Sequence, residues 1–268
     1  MYGLPPTITH SLIVCHTDFS QRKRYFTLYD EGCLLDEEGW YSVTPELIAN
    51  QIAERCRCDT VLDAFCGVGG NAIAFAKTCE HGMHLANLFR PRLTGIPRTV
   101  IALDISPVRL ALAKHNADIY GVANRIEFIL ADYISFAHAY NSRPPGKRPI
   151  NVVFLSPPWG GPDYLSRGNT DVELVGERTY ASPARHPEFS LANIKPIHGA
   201  DLFHLTRKIT RNVAYFLPRN TSLDEISVLL TESAPEEKVE IEEEWMGTKL
   251  KALTCYFGGL ACGQQHLF

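Results

Sequence analysis

The chain has 268 residues, 45% of them hydrophobic and 21% charged, enough for one large or two small globular domains with a real core. A net charge of −4 excludes a broad phosphate-binding face, because general affinity for nucleic acid comes from Lys and Arg neutralising many phosphates; any such contact is expected to be local. No apolar run reaches the roughly 18 to 20 residues that span a bilayer. The first residues also lack a basic stretch followed by an apolar one and a small-residue cleavage site, so a soluble intracellular protein without a membrane partner is expected.

The eight cysteines lack the Cys-x-x-Cys spacing of a zinc site and are expected to be reduced. The nearest approach to a ligand cluster, Cys79-x-His81-x-x-His84, falls in an irregular stretch, and no metal is expected. In chain order, Arg22-Lys23-Arg24 followed by Tyr25 and Phe26 reads either as solvated surface or as a local phosphate contact. Thr44-Pro45-Glu46 reads as a helix start, with Thr44 as cap and Pro45 in the first turn, and Leu47, Ile48, Ile52 and Ala53 as the apolar face. A strand over 60–65 runs into Cys66-Gly67-Val68-Gly69-Gly70-Asn71 and then a helix. A second strand, 99–104, ends in Asp104, and Ser106 caps a helix with Val108, Ala111, Leu112, His115 and Ile119 on its apolar side, stopped at Gly121.

A third strand spans 126–130 and is followed by Asp132. The fourth, 152–155, is a continuous apolar run of the kind buried on both faces of a parallel sheet, and it ends in Ser156-Pro157-Pro158-Trp159-Gly160-Gly161. A helix over 201–210, a strand over 213–217, a helix after Ser222 and two closing strands, 239–245 and 250–257, complete the pattern. The expected fold is a doubly wound, Rossmann-like α/β domain: a mostly parallel seven-stranded sheet with a C-terminal antiparallel hairpin. Stretches 77–98 and 165–199 interrupt it and read as insertions, with a shorter Pro-rich loop over 142–149.

Gly67-x-Gly69-Gly70 between strand and helix lets backbone approach a ligand and leaves helix-start amides free. Ala72 in the last fingerprint position is tolerated in dinucleotide sites, so spacing alone does not exclude a nicotinamide enzyme. The acids favour another ligand. Asp63 near the end of the first strand is placed for a cationic amino-acid moiety, Asp104 for two ribose hydroxyls and Asp132 for an adenine amino group. That set suits S-adenosyl-L-methionine, whereas a pyrophosphate would be repelled by Asp63. Each Asp alone is equally well read as a cap or turn former.

The acceptor side rests on Ser156-Pro157-Pro158-Trp159. Two prolines fix an extended turn without amide donors, leaving the carbonyls of Ser156 and Pro157 to accept from an exocyclic base amine. Such an amine is a poor nucleophile, because its lone pair is delocalised into the ring; aligning it supplies orientation and electrostatic stabilisation without a dedicated base. Trp159 supplies a stacking face.

Three runs carry a family resemblance: Asp63-Ala64-Phe65-Cys66-Gly67-Val68-Gly69-Gly70-Asn71, the run from Ser156 through Gly160-Gly161-Pro162-Asp163-Tyr164, and Tyr215-Phe216-Leu217-Pro218-Arg219-Asn220. With Gly39-Trp40-Tyr41-Ser42-Val43-Thr44-Pro45-Glu46 upstream, the chain resembles the trimethylguanosine synthase family over most of its length. The resemblance implies a class I methyltransferase domain over 56–268 and an N-terminal lobe, 1–55, covering the active site. It implies two successive methyl transfers to N2 of the 7-methylguanosine cap of small nuclear and nucleolar RNAs, giving 2,2,7-trimethylguanosine. The nucleus or nucleolus is then the expected location, with the cytoplasm second. A capped small RNA and ribonucleoprotein components are the expected partners of a monomer.

By position, the resemblance implies that Trp159 stacks on the base, Ser156 and Pro157 orient N2, and Tyr164 with Arg219 contacts the cap phosphates. It assigns Asp63, Phe65, Gly67, Gly69, Asn71, Asp104, Asp132 and Ser156 to the donor. Two departures stand out. Leu47 occupies a position where the family carries a phosphate-holding lysine, which shifts weight to Arg219 or the 22–24 run, and the insertions at 77–98 and 165–199 are unfamiliar for the family. The alternatives are an adenine-N6 or guanine-N2 methyltransferase of ribosomal or transfer RNA and a catalytically silent cap-binding protein. A nicotinamide dehydrogenase would have no use for the Pro-Pro-Trp turn.

Overall fold

The computed structural model describes residues 19–81, 99–160, 188–231 and 237–261, side chains excepted at 79–81, 145 and 231. Seven strands form one sheet: β1 Thr60–Asp63, β2 Thr99–Asp104, β3 Ile126–Leu130, β4 Val152–Leu155, β5 Val213–Pro218, β6 Glu240–Met246 and β7 Lys249–Phe257. Their order is β3-β2-β1-β4-β5-β7-β6, parallel from β3 to β5, with β7 antiparallel to β5 and to β6. This is the mostly parallel sheet with a terminal hairpin that the hydrophobic pattern leads one to expect. β1, β4 and β5 are buried along their whole length because helices cover both faces. The outer strand β6 reads Glu-Ile-Glu-Glu-Glu-Trp-Met and is largely solvated, and charge on an edge discourages further strand pairing.

The helices are α1 Arg22–Tyr25, α2 Glu37–Ser42, α3 Glu46–Arg55, α4 Gly70–His81, α5 Pro107–Ile119, α6 Tyr133–Asn141, α7 Gly199–Arg207 and α8 Leu223–Thr231. Strand alternation sorts the core onto two faces. Val61, Val100, Ala102, Phe154 and Phe216 pack under α3, α4 and α5, together with Tyr25, Phe26 and Trp40 from the N-terminal segment. Leu62, Leu103, Val153, Leu155 and Tyr215 pack under α6, α7 and α8. Among the described residues no helix is long and apolar enough to cross a membrane.

Several local expectations need correction. α3 starts one residue later than its sequence signal, with Pro45 as cap, because the Thr44 hydroxyl accepts a hydrogen bond from Asn71 Nδ2 at 2.9 Å instead of capping the helix. Its buried face is Ile48, Ala49, Ile52 and Ala53, while Leu47 is 81% exposed. α5 is turned likewise: Leu110, Ala113, Asn116 and Ala117 face inward, and Val108 is exposed. The stretch read as an insertion from residue 77 begins with the last turn of α4, and the helix expected over 201–210 runs Gly199–Arg207. The Cys79, His81 and His84 side chains lie outside the described residues.

The N-terminal segment is tied down by Glu46. Its carboxylate accepts from Lys77 Nζ at 2.7 Å, the Thr27 amide at 2.6 Å and the Tyr120 hydroxyl at 2.7 Å. Burial opposes its charge, but these three donors outweigh burial and hold its pKa below the ordinary carboxylate value.

Candidate active site

In a parallel sheet all strand ends of one kind lie along one edge, and ligands bind where the strand order reverses. Here that point lies between β1 and β4, whose registers pair Asp63 with Phe154. The glycine loop after β1 and the Pro-Pro turn after β4 therefore leave adjacent strands. The Ser156 hydroxyl donates to the Phe65 carbonyl at 3.4 Å, joining the two.

On the donor side, Gly67 adopts φ +53° and Gly69 φ +92°, backbone states that side chains resist. A Cβ at Gly67 would meet nothing within 4 Å, so the backbone there faces open space. A Cβ at Gly69 would lie 3.0 Å from Ala113, so its missing side chain serves the approach of α5. Asp104 anchors this turn: Oδ2 accepts from the Gly67 amide at 3.0 Å and Oδ1 from the Ser106 amide at 2.8 Å. A carboxylate has about four lone-pair sites, so capacity remains on each oxygen for a diol. Asp132 caps α6, accepting from the Ser135 amide at 2.9 Å and its hydroxyl at 2.8 Å, all through Oδ2. Burial works against its charge, but these donors and the Ile134 amide outweigh burial and depress its pKa. The local cap reading of Asp132 thus describes Oδ2, which takes both Ser135 bonds, and Oδ1 takes neither.

Asp63 is fully buried, and neither oxygen has a hydrogen-bond partner of ordinary geometry. Burial raises its pKa to about 7 and the nearby Asp104 charge adds to this, while the amides of Phe65 and Ala72 approach closely enough to offset part of the rise. Asn71 is buried too; its amide nitrogen is spent on Thr44, and Oδ1 has no partner. These orphaned acceptors, the open backbone at Gly67 and the remaining capacity of Asp104 fit a ligand with an ammonium and a ribose, as S-adenosylmethionine has. The donor set therefore fits that cofactor.

On the acceptor side, Pro157 is buried, and among the described residues no hydrogen bond to the carbonyl of Ser156 or of Pro157 is present. Trp159 is half-buried where both halves of the core meet, its ring 5.3 Å from that of Phe216 on β5 and inclined by 35°. Phe65 stands against Tyr133 at 5.4 Å. Arg219 follows β5 and donates to the Leu250 carbonyl at 3.3 Å. It lines a cleft of about 640 Å³ together with Glu188, Asp224 and Glu243. Tyr164 lies outside the described residues. Arg22 and Lys23 both pair with Asp30, at 2.9 and 2.8 Å, so that basic run is partly compensated within the chain.

Residues 58–183 and 176–260 match the family described as RNA cap guanine-N2 methyltransferase. Trimethylguanosine synthase of Schizosaccharomyces pombe is 33% identical over 244 residues, covering 89% of this chain and 84% of that protein. This chain belongs to the RNA cap guanine-N2 methyltransferase family. The Saccharomyces cerevisiae trimethylguanosine synthase is 29% identical over 215 residues, which is 78% of this chain and 56% of that protein. Among solved structures, the O-methyltransferase TomG of Streptomyces achromogenes aligns with 90% of this chain and 88% of its own at a TM-score of 0.49 and 12% identity. As a member of the family, the chain is an S-adenosylmethionine-dependent methyltransferase acting at N2 of an RNA cap guanine, and its substrate is RNA.

Two features of the site escaped the sequence reading. Ile105, directly after Asp104, is 71% exposed at the carboxyl edge, an apolar surface beside that carboxylate. The signal was available, since an Ile between a strand-end acid and a capping Ser has no core to enter. The hold of the N-terminal segment on the glycine loop, through Thr44 and Asn116, was not legible, because it depends on contacts 27 and 82 residues apart.

Proposed function

We propose that this cap guanine-N2 methyltransferase acts on the 7-methylguanosine cap of small nuclear and nucleolar RNAs, adds two methyl groups in succession to give 2,2,7-trimethylguanosine, and works in the nucleus as a monomer on RNA within ribonucleoprotein particles. The observation that carries the substrate assignment is Trp159, half-buried on Phe216 directly after two prolines. A base cationic in its imidazolium portion gains cation–π attraction of about 0.5 to 2 kcal/mol on such a face, beyond its stacking. The likeness to proteins named trimethylguanosine synthase supports the same reading.

The residue roles follow from chemistry. S-adenosylmethionine supplies an electrophilic methyl group on a cationic sulfonium. Asp104 accepts from its ribose, Ile105 offers an apolar face to its adenine, Asp132 Oδ1 accepts from the adenine amine, and Asp63 with Asn71 satisfies its ammonium. Phe65, Gly67, Gly69 and Ser156 shape the space between donor and base. The carbonyls of Ser156 and Pro157 accept from N2 and aim its lone pair. As N2 takes the methyl, the sulfur–methyl bond breaks and leaves a neutral thioether, N2 turns cationic, its proton becomes acidic enough to leave to water, and no dedicated base is required. Tyr164 and Arg219 hold the cap phosphates, with the 1–55 lobe lying beside the 56–268 domain and over the site.

The test is methyl transfer to 7-methylguanosine diphosphate and to GDP, with mass spectrometry of the nucleoside product. Transfer to the 7-methylated substrate alone, ending with two methyls on N2, is the expected result. Transfer to GDP in preference, or to internal bases of uncapped RNA, overturns the reading.

A further inference from the structure

The glycine loop leans on a side chain outside it. Asn116, on α5, is fully buried. Its Oδ1 accepts from the Leu34 amide at 2.8 Å, and its Nδ2 donates to the Leu34 carbonyl at 2.9 Å and to the Val68 carbonyl at 2.9 Å. The two bonds to Leu34 imitate one rung of a β-ladder, which only a side-chain amide can do, since it carries donor and acceptor together. The third bond fixes the peptide plane that follows Val68, between the two left-handed glycines Gly67 and Gly69. A single amide thus holds the N-terminal segment and the donor turn at one point. Asn71 repeats the link at the other end of the loop, through Thr44.

We propose that Asn116 is a positioning residue for the methyl donor: by tying Leu34 to the Val68 carbonyl it sets the Gly67–Gly69 turn in the shape that receives S-adenosylmethionine. The inference rests on the reading that this turn is the donor site. It also gives the N-terminal segment a role in donor binding, separate from any contact with the cap. A polar residue inside a helix, on the same stripe as Leu110, Ala113 and Ala117, is costly to bury unless its polar atoms find partners, and here both N–H donors and the oxygen do.

Asn116→Asp tests this. It keeps the size and the acceptor but sets a carboxylate against the Leu34 and Val68 carbonyls. The expected result, by calorimetry and steady-state kinetics well below the melting temperature, is a rise of about tenfold in donor Kd and KM, with kcat at saturating donor within about twofold of the unaltered chain. A role confined to stability instead lowers the active fraction, so kcat falls while donor Kd stays put. Tyr120→Phe is the control: it removes the hydrogen bond to Glu46 and loosens the same segment away from Val68, and donor Kd is expected to stay within about twofold. Should Asn116→Asp not fold, Asn116→Ser, smaller and able to keep one bond, is measured with the same expected direction. An unchanged donor Kd in the Asn116 variant, or equal rises in the Asn116 and Tyr120 variants, overturns the inference. Failure of the unaltered chain to bind S-adenosylmethionine is a distinct result: it removes the donor reading itself and this inference with it.

Discussion

At the ends of β1 and β2, Gly67, Asp104 and Val68 are locked by backbone amides and a buried side-chain amide, whereas at the ends of β4 and β5 the Ser156 hydroxyl reaches the Phe65 carbonyl at 3.4 Å, Trp159 lies against Phe216 after two prolines, and Arg219 reaches the Leu250 carbonyl at 3.3 Å. The donor side is an oriented polar cage. The acceptor side is an apolar shelf with carbonyls beside it. A small flexible cation with a diol needs many fixed acceptors, while a flat cationic base needs one face and an edge. The two halves are therefore expected to fail differently when mutated: the acceptor half through loss of transfer with donor binding intact, the donor half through loss of donor affinity.

The largest effect should come from the acceptor side. Trp159→Ala removes stacking of about 1 to 3 kcal/mol and the cation–π increment, and should lower kcat/KM for a 7-methylguanosine substrate on the order of a hundredfold or more, while calorimetric donor affinity is kept. Trp159→Phe should recover part of the loss, since a smaller ring remains over the same position. Unchanged turnover in Trp159→Ala would sink the stacking role and blur the contrast between the halves. Next comes the donor side. Asp104→Ala strips acceptors from the Gly67 and Ser106 amides as well as from a ribose, so donor Kd should rise roughly 10- to 100-fold, with cap-analogue binding little altered. An unaltered donor dissociation constant would move the ribose contact elsewhere.

The same contrast explains what the sequence disclosed. Strand-end acids, the glycine turn and Ser156-Pro157-Pro158-Trp159 are local signals: each follows a buried strand, and hydrophobic period together with Gly and Pro punctuation is enough to place them along the chain. The sheet order follows from those signals, because alternating strands and helices leave few topologies. What escaped was the division of labour within the loop. Gly69 and Asn71 read as donor contacts, and the structure adds a second role to each: Gly69 makes room for Ala113, and the Asn71 nitrogen holds Thr44. A glycine chosen for a ligand and one chosen for helix approach look alike in sequence, and only the neighbour decides. The faces of α3 and α5 were misjudged by about one residue for a related reason: with many Ala and a buried Asn, hydrophobicity does not define the stripe, and the packing partner does.

The smallest effect separates the halves by pH. Asp63, buried and raised to about 7, lies on the donor side; the described acceptor turn contains no ionisable group of its own. Its folded pKa exceeds the unfolded value, so the folded state holds a proton that the unfolded chain releases. The ligand-free protein should therefore lose stability as pH rises from about 4 toward 7, by about 1 kcal/mol per unit or less from this group. Glu244 reinforces the trend: burial lifts it to about 7 and Glu242 adds to the rise, against the hydrogen bond from Thr254 and the charge of Arg55. Asp63→Asn should flatten the slope in thermal melts between pH 5 and 7 without abolishing it, because Glu244 remains. Donor binding should run the other way, since an ammonium favours the ionised carboxylate, so affinity should weaken as pH falls below 7 in the unaltered chain and lose that dependence in Asp63→Asn. Cap-analogue affinity should show no matching change at this residue. If it does, the two halves are coupled through Asp63, and the acceptor shelf depends on the charge of the donor cage.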